Sequence, residues 1–384
     1  MDDRVSMNNS SDLTAPASSL AHLAARLRCW FSRERDLLAT SLLLFIANQL
    51  FELFFWRINH VAVATWCKYD CNWYRSILEQ GYHLTTSGPA LNNSANWAFF
   101  PAFPLLAKLV SLTGLSDGLS LMVTSRLLFL LAIYSFIKFV QAYSTRVSPL
   151  LAGAVVAFSP WAVYAGTGYT ESLYLLLTCA AFYALKRGNL ITAGLLGAGL
   201  GATRFVGAAF GFSFLLSLIR NRAWTWSPAE ISRAIFALGL VPLGLALFSL
   251  FLYWRMGDGL AFVHIQRAWG REVGSVLANI GNGLSAGGSQ RVFALVTIGG
   301  IFASLVLFAQ RRSELGVFAL LAVLIPVATS LASMPRYVMW QAPILLLIAE
   351  LVGYRRIWVL YFPLALLMLG HVYALWAVRN GFVI

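Results

Sequence analysis

The stretch Trp66-Cys67-Lys68-Tyr69-Asp70-Cys71-Asn72-Trp73-Tyr74 follows an apolar run, from about Asp36 to Trp56, that is long enough to cross a bilayer. A helix of roughly 20 apolar residues spans a hydrocarbon core of roughly 30 Å. The polar, aromatic character continues through Glu79-Gln80-Gly81-Tyr82 to Asn96-Trp97-Ala98-Phe99-Phe100-Pro101. A carboxylate ringed by aromatics just outside a membrane helix suits chemistry on a molecule that lives in the membrane. Ionisable groups at a bilayer are costly and tend to be kept for function.

The rest of the chain is greasy. Of 384 residues, 59% are hydrophobic and 11% charged, against about 25% charged in a soluble domain. So little charge could not cover a surface in water. Repeated apolar runs predict an all-α polytopic membrane protein rather than a barrel. The net charge of +13 raises the question of nucleic acid. The basic residues, however, sit in short links: Lys186-Arg187, Arg220 and Arg222, Arg311-Arg312, Arg355-Arg356. That is the pattern of cytoplasmic loops, and no basic stripe interleaves with aromatics on a soluble face. Membrane lipids, not nucleic acid, are the expected surroundings.

Residues 1–35 read as a cytoplasmic, disordered and basic segment, with Arg26, Arg28, Arg33 and Arg35 before the first span. That span starts too late and runs too long for a cleaved signal peptide. Residues 36–384 read as one membrane-embedded domain, and 57–118 as its first extracytoplasmic loop. Within this loop Ala102–Leu115 is apolar but short. Were it to cross, every later basic pair would move to the outer side; lying in the interface, it leaves them all inside. The interfacial reading gives about 11 transmembrane helices, several of them short. Gly197 and Gly201 form a Gly-x-x-x-Gly pair, read as close helix packing. Cys67 and Cys71 share the outer loop. A local disulfide between them stays open, although spacing of four on a helix holds two sulfurs awkwardly, and no His–Cys cluster suggests a metal.

On this topology the outer face collects Asp70, the turn ending at Glu171, Arg204, the loop Arg255–Gln290 and Met334-Pro335-Arg336-Tyr337. Plain readings exist for each. Asp70 could be a loop acid paired with Lys68 or Arg75, and Glu171 a first-turn acid on a helix dipole. Arg204 and Arg336 could snorkel to headgroups, and Trp66, Tyr69, Trp73 and Tyr74 could form an interface belt. The functional readings make Asp70 and Glu171 catalytic carboxylates and Arg204 and Arg336 a clamp for a lipid phosphate. His264, Gln266, Arg267, Trp269 and Arg271 form a polar, aromatic segment; His264 and Gln266, with Tyr337 and Trp73, would then contact phosphate or sugar.

The chemistry that joins these parts is glycosyl transfer from a polyprenyl-phosphate sugar. The donor carries its own leaving group, so no cofactor or nucleotide fold is needed and a divalent metal is less necessary. Cations stabilise the charge that develops on the departing phosphate. A carboxylate takes the proton of the attacking hydroxyl. A single displacement with one base inverts the anomeric centre.

The chain resembles the PIG-V-like family, which includes GPI mannosyltransferase II and bacterial relatives. The resemblance is carried in order by Asp70-Cys71-Asn72-Trp73-Tyr74 with Glu79-Gln80-Gly81-Tyr82; by Ala98-Phe99-Phe100-Pro101-Ala102-Phe103-Pro104; and by Tyr169-Thr170-Glu171-Ser172-Leu173-Tyr174. It continues with Ala202-Thr203-Arg204, the segment Gly257 to Gln266 with Trp269, and Met334-Pro335-Arg336-Tyr337. It implies a GT-C-type fold with interfacial helices in the first outer loop, a mannosyl donor on a dolichyl-type or other polyprenyl phosphate, and a lipid or glycolipid acceptor. By the same resemblance Asp70 is the loop acid, and Glu171, Arg204, His264, Gln266 and Arg336 match further polar signatures. The family usually has Trp before the acid and a small residue after it; Tyr69 and Cys71 stand here. The expected location is a bacterial inner membrane, or the endoplasmic reticulum in a eukaryote, with the site periplasmic or lumenal. The competing readings are a GT-C enzyme using another sugar, a flippase of lipid-linked sugars, and a non-catalytic subunit that binds them. A flippase predicts polar residues near mid-membrane, of which the sequence has few, and repeated halves, of which it has none.

Overall fold

The structure is a computed structural model that describes residues 16–61, 66–89, 92–221, 225–378 and 382. Among the described residues there are helices and turns and no strand. Helix α1 (Pro16–Ile58) contains a stretch, Glu34–Ile58, long and apolar enough to cross a membrane. The expected tail is therefore helical from Pro16 onward, and residues 1–15 lie outside the described residues. Two short helices follow, α2 (Asp70–Gln80) and α3 (Ala102–Ser111). At 1.5 Å per residue, the ten residues of α3 reach roughly 15 Å, about half a hydrocarbon core.

Helix α4 (Asp117–Tyr143) is the longest well-buried span. It packs against α1, α3, α5 (Pro149–Ala157) and α6 (Glu171–Lys186). Chain reversal after Lys186 makes α6 and α7 (Leu190–Thr203) an antiparallel hairpin. Beyond α8 (Phe210–Arg220), α9 (Pro228–Leu240) and α10 (Leu243–Met256) form a helix pair bent by 43° that, taken together, is long and apolar enough to cross a membrane. The bend falls at Pro242, which cannot donate an amide hydrogen bond and crowds the preceding turn. The remainder comprises α11 (Ala261–His264), α12 (Val276–Ala286), α13 (Gly288–Ala309), α14 (Ser313–Val327), α15 (Met334–Met339), α16 (Ala342–Gly353) and α17 (Trp358–Ala377).

Among the described residues four helices, or five spans with the bent pair, are long and apolar enough to cross a membrane. Five more are apolar but only 10–17 residues long. The outward faces are apolar as well: Leu43, Leu50 and Phe54 on α1, Leu247 and Leu250 on α10, and Leu360, Leu364 and Leu367 on α17 are all exposed. A soluble monomer does not present apolar surface on this scale. The protein is a helical membrane protein. The Gly197 and Gly201 pair does pack closely, since a Cβ at Gly197 would lie 2.9 Å from Phe210 and one at Gly201 3.3 Å from the Leu245 nitrogen.

Cys67 and Cys71, whose pairing the sequence leaves open, are joined by a disulfide. Helix α2 begins only at Asp70, so Cys67 lies outside it and helical i,i+4 geometry does not apply. Tyr69 takes a positive φ of 52°, the chain folds back, and the two Cα atoms come within 5.1 Å, a separation that a bridge can span.

Candidate functional site

Two acids and two arginines meet where helix ends converge. Asp70 is the first residue of α2 and Glu171 the first of α6. A carboxylate in a first turn is favoured by the positive end of the helix dipole. Arg204 caps the C-terminal end of α7, where a cation is favoured, and Arg336 lies in the short helix α15. Arg336 ties the two acids together. Its Nη2 is 2.7 Å from Asp70 Oδ2 and its Nε 2.8 Å from Glu171 Oε1. The second contact is an ion pair rather than an aligned hydrogen bond. Arg204 also pairs with Glu171 Oε1 through Nη2, and its Nε donates to Thr170 Oγ1 at 2.9 Å.

Tyrosines wall the cluster. The Arg336 guanidinium lies over the rings of Tyr169, Tyr164 and Tyr337 at 5.1, 5.4 and 5.8 Å. Arg204 lies over Tyr174 and Tyr337 at 5.4 and 5.6 Å. A planar guanidinium both stacked and forked onto carboxylates is fixed in a way a lysine would not be. The Glu171 side chain is fully buried, while that of Asp70 is 26% exposed. Asp70 is thus the open edge. The Asp70 N–H donates to the Tyr169 hydroxyl at 3.3 Å, which in turn donates to the Lys68 carbonyl at 3.4 Å.

Two signs mark this region as strained. Tyr69, immediately before Asp70, and Ser333, three residues before Arg336, both have positive φ without being glycine. Such conformations persist only where the surroundings enforce them, and they collect at functional sites. In addition, Glu171 Oε2 is buried without a hydrogen-bond partner, which is uncommon for a buried polar atom. Burial raises the Tyr337 hydroxyl, but Arg271, Arg336 and Arg204 together outweigh it and hold it below the ordinary phenol range. The local field around Tyr337 is therefore positive.

The remaining expected residues divide. Tyr337 joins the cluster. Trp73 stacks on Phe99 (5.7 Å) and meets the edge of Trp269 (5.5 Å), so part of its ring surface is already covered. His264 turns away: its Nδ1 is 2.7 Å from Asp258 Oδ2 and its side chain is 61% exposed. Gln266 donates to the Phe262 carbonyl at 3.4 Å. His264 lines a separate hollow of about 430 Å³ with Thr86, Asn92, Trp97 and Arg267. Asp70 takes neither partner expected of a loop acid. Lys68 donates to the Trp376 and Ala377 carbonyls at the end of α17, and Arg75 pairs with Glu79.

Sequence reasoning passed over a second buried ion pair, Glu52 on α1 with Arg126 on α4. The available signal was a lone acid and a lone arginine inside apolar runs. Among the described residues no three His, Cys, Asp or Glu side chains group closely enough to hold a metal. No family model matches the chain, and no curated protein sequence matches it.

Proposed function

We propose that this protein is an integral-membrane glycosyltransferase that moves a mannosyl group from a polyprenyl-phosphate donor to a lipid or glycolipid acceptor. The observation that carries the reading is Asp70: a half-open carboxylate held by a buried arginine among aromatic walls, beside apolar helices. In this reading Asp70 takes the proton of the acceptor hydroxyl as it attacks the anomeric carbon, and the centre inverts. Glu171 is buried beyond reach of a substrate. Its role is to hold Arg204 and Arg336, and through Arg336 to place Asp70. The architecture proposed is GT-C-type with about 11 crossings, of which four helices and one bent pair are long and apolar enough among the described residues, and shorter helices make the rest in a bilayer that thins around them. The site would face the periplasm of a bacterial inner membrane, or the lumen in a eukaryote.

The test uses purified protein with labelled polyprenyl-phosphate mannose and candidate lipid acceptors, followed by mass analysis. Wild type should yield a mannosylated lipid and Asp70→Asn should not. Transfer of a different sugar would replace mannose within the same reading; undiminished turnover by Asp70→Asn would remove Asp70 from the mechanism. A second reading, movement of lipid-linked sugar across the membrane, draws on the ion pair Glu52–Arg126 inside two spans. Flux into proteoliposomes without a covalent product would favour it.

A further inference from the structure

The charges of the cluster cancel. Asp70 and Glu171 bring two negative charges, and Arg204 and Arg336 bring two positive ones that are already committed to them. A neutral, internally paired cluster has little hold on an anion. A third guanidinium lies one ring away. Arg271 Nη1 is 3.4 Å from the Tyr337 hydroxyl and its Nη2 is 3.4 Å from Ser333 Oγ. Among the described residues, none of the ion pairs includes Arg271. Its two long bonds go to neutral hydroxyls, and a guanidinium carries five N–H donors in a fork that suits phosphate.

The loop that carries Arg271 is built to hold it there. Gly270 takes φ +64° and separates two anchors. On one side Trp269 packs against Trp73 of α2, three residues after Asp70. On the other, Arg271 reaches Ser333 and Tyr337, which flank Arg336 in sequence. Gly274 N–H then donates to the Ala328 carbonyl at 2.7 Å and ties the loop to the end of α14. Ser333 is buried, and its positive φ belongs to the turn that starts α15. The loop thus spans from α2 to α15 and sets an uncompensated, half-buried cation beside the cluster.

We infer that Arg271, with the hydroxyls of Ser333 and Tyr337, forms the phosphate-binding part of this site, and that Arg204 and Arg336 position the carboxylates instead. The inference rests on the reading of the protein as a polyprenyl-phosphate-dependent transferase. In that reaction the bond from the anomeric carbon to the phosphate oxygen breaks with its electron pair left on oxygen. A new bond forms to the acceptor oxygen, whose proton passes to Asp70. Arg271 meets the charge that appears on the departing phosphate.

The experiment measures binding of farnesyl phosphate to the full-length protein in detergent, with farnesol as the uncharged match. Wild type should prefer farnesyl phosphate. Arg271→Gln should weaken farnesyl phosphate by roughly ten- to hundredfold, as expected for loss of charge-assisted hydrogen bonds, and leave farnesol unchanged. Arg271→Lys should recover part of the preference. Equal binding of farnesyl phosphate by wild type and Arg271→Gln, or no preference in wild type, overturns the inference. Should Arg271→Gln fail to fold, Arg271→Lys and Ser333→Ala decide: weaker farnesyl phosphate binding supports the inference and unaltered binding overturns it. Turnover separates the two readings. Transfer by wild type with an unchanged donor KM in Arg271→Gln would end the inference and leave the enzyme standing. Arg271-dependent phosphate binding without any transfer would do the reverse.

Discussion

Among the described residues two ion clusters of this helical bundle are built on a buried glutamate, Glu52 and Glu171, and they are finished to different degrees. Around Glu52 every carboxylate oxygen has a donor. Oε1 accepts from Trp56 Nε1 at 2.9 Å and Arg126 Nη2 at 2.8 Å, and Oε2 from Gln49 Nε2 at 3.4 Å. Arg126 Nε donates to Gln49 Oε1 at 2.8 Å, and the guanidinium lies 5.0 Å over Trp66, itself stacked on Trp56. Around Glu171 one carboxylate oxygen is left without a donor, one partner acid reaches the surface, and the backbone before that acid has positive φ. A buried charge that is fully met is architecture: it resists change because removing a partner strands the other. A buried charge that is partly met, at a strained turn with an open edge, is poised to accept something else.

The sharpest test of this contrast is Asp70→Asn. Arg336 keeps Glu171 as a partner and Asp70 is partly solvated, so folding should change little. Loss of a general base lowers turnover by about 10²- to 10⁴-fold. A variant that transfers sugar normally, or one that fails to fold, would break the contrast from this side. Arg126→Met probes the other cluster. It strands Glu52, whose side chain is 3% exposed, and removal of one partner of a buried pair costs about 3–5 kcal/mol. Thermal unfolding should show a large fall in midpoint, and the surviving folded molecules should transfer sugar at the wild-type rate. An unchanged midpoint with abolished turnover would exchange the roles of the two clusters.

Two glycines in one turn sharpen the comparison with smaller effects. A Cβ at Gly166 would lie 2.7 and 2.9 Å from the Glu52 carboxylate oxygens. Gly166→Ala should therefore lower stability by about 1–3 kcal/mol, as overpacking does, and spare turnover. A Cβ at Gly168, where φ is +80°, would lie 2.4 Å from Cys71 Sγ. Cys71 follows Asp70 directly, so Gly168→Ala should lower turnover as well as the midpoint, measured on the same preparation. Equal behaviour of the two alanines in both assays would count against any division between the clusters.

The open cluster was more legible in the sequence than the sealed one, for a physical reason. Asp70, Glu171, Arg204 and Arg336 sit at helix ends, where runs of apolar residues stop and a polar side chain stands out. Glu52 and Arg126 sit inside apolar runs, and their pairing depends on how α1 and α4 pack, which local spacing does not encode. The bridge between Cys67 and Cys71 is not decidable from the sequence, because the start of α2 at Asp70 cannot be read there to within three residues. His264 and Gln266 belong to the same segment as Trp269 and Arg271, but a turn at Gly270 and two short helices separate their directions. Apolar length was legible; how the short helices complete crossings was not, because Pro242 and the brief helices around Arg204 and Arg336 interrupt the runs.

The smallest expected effect concerns Asp258 and His264, which lie outside both clusters. Burial slightly raises the Asp258 carboxyl, but hydrogen bonds from His264 and from the Leu260 N–H, at 2.7 and 2.9 Å, lower it further, so it sits below the ordinary carboxylate range. The folded state thus binds this proton less readily than the unfolded chain, for which the value is about 3.9. Its contribution is fully present above that value and is lost as pH falls through the lowered one. Both side chains are more than a third exposed, so solvent and salt screen the pair and the contribution is small. His264→Ala should therefore lower the unfolding midpoint only slightly at neutral pH, with the difference from wild type fading in acid as Asp258 takes up its proton. Turnover at neutral pH should stay at the wild-type level, because this pair does not touch the cluster around Asp70. A tenfold loss of turnover in His264→Ala, with the midpoint unchanged, would carry His264 into the site and require the loop to close over Asp70 during reaction.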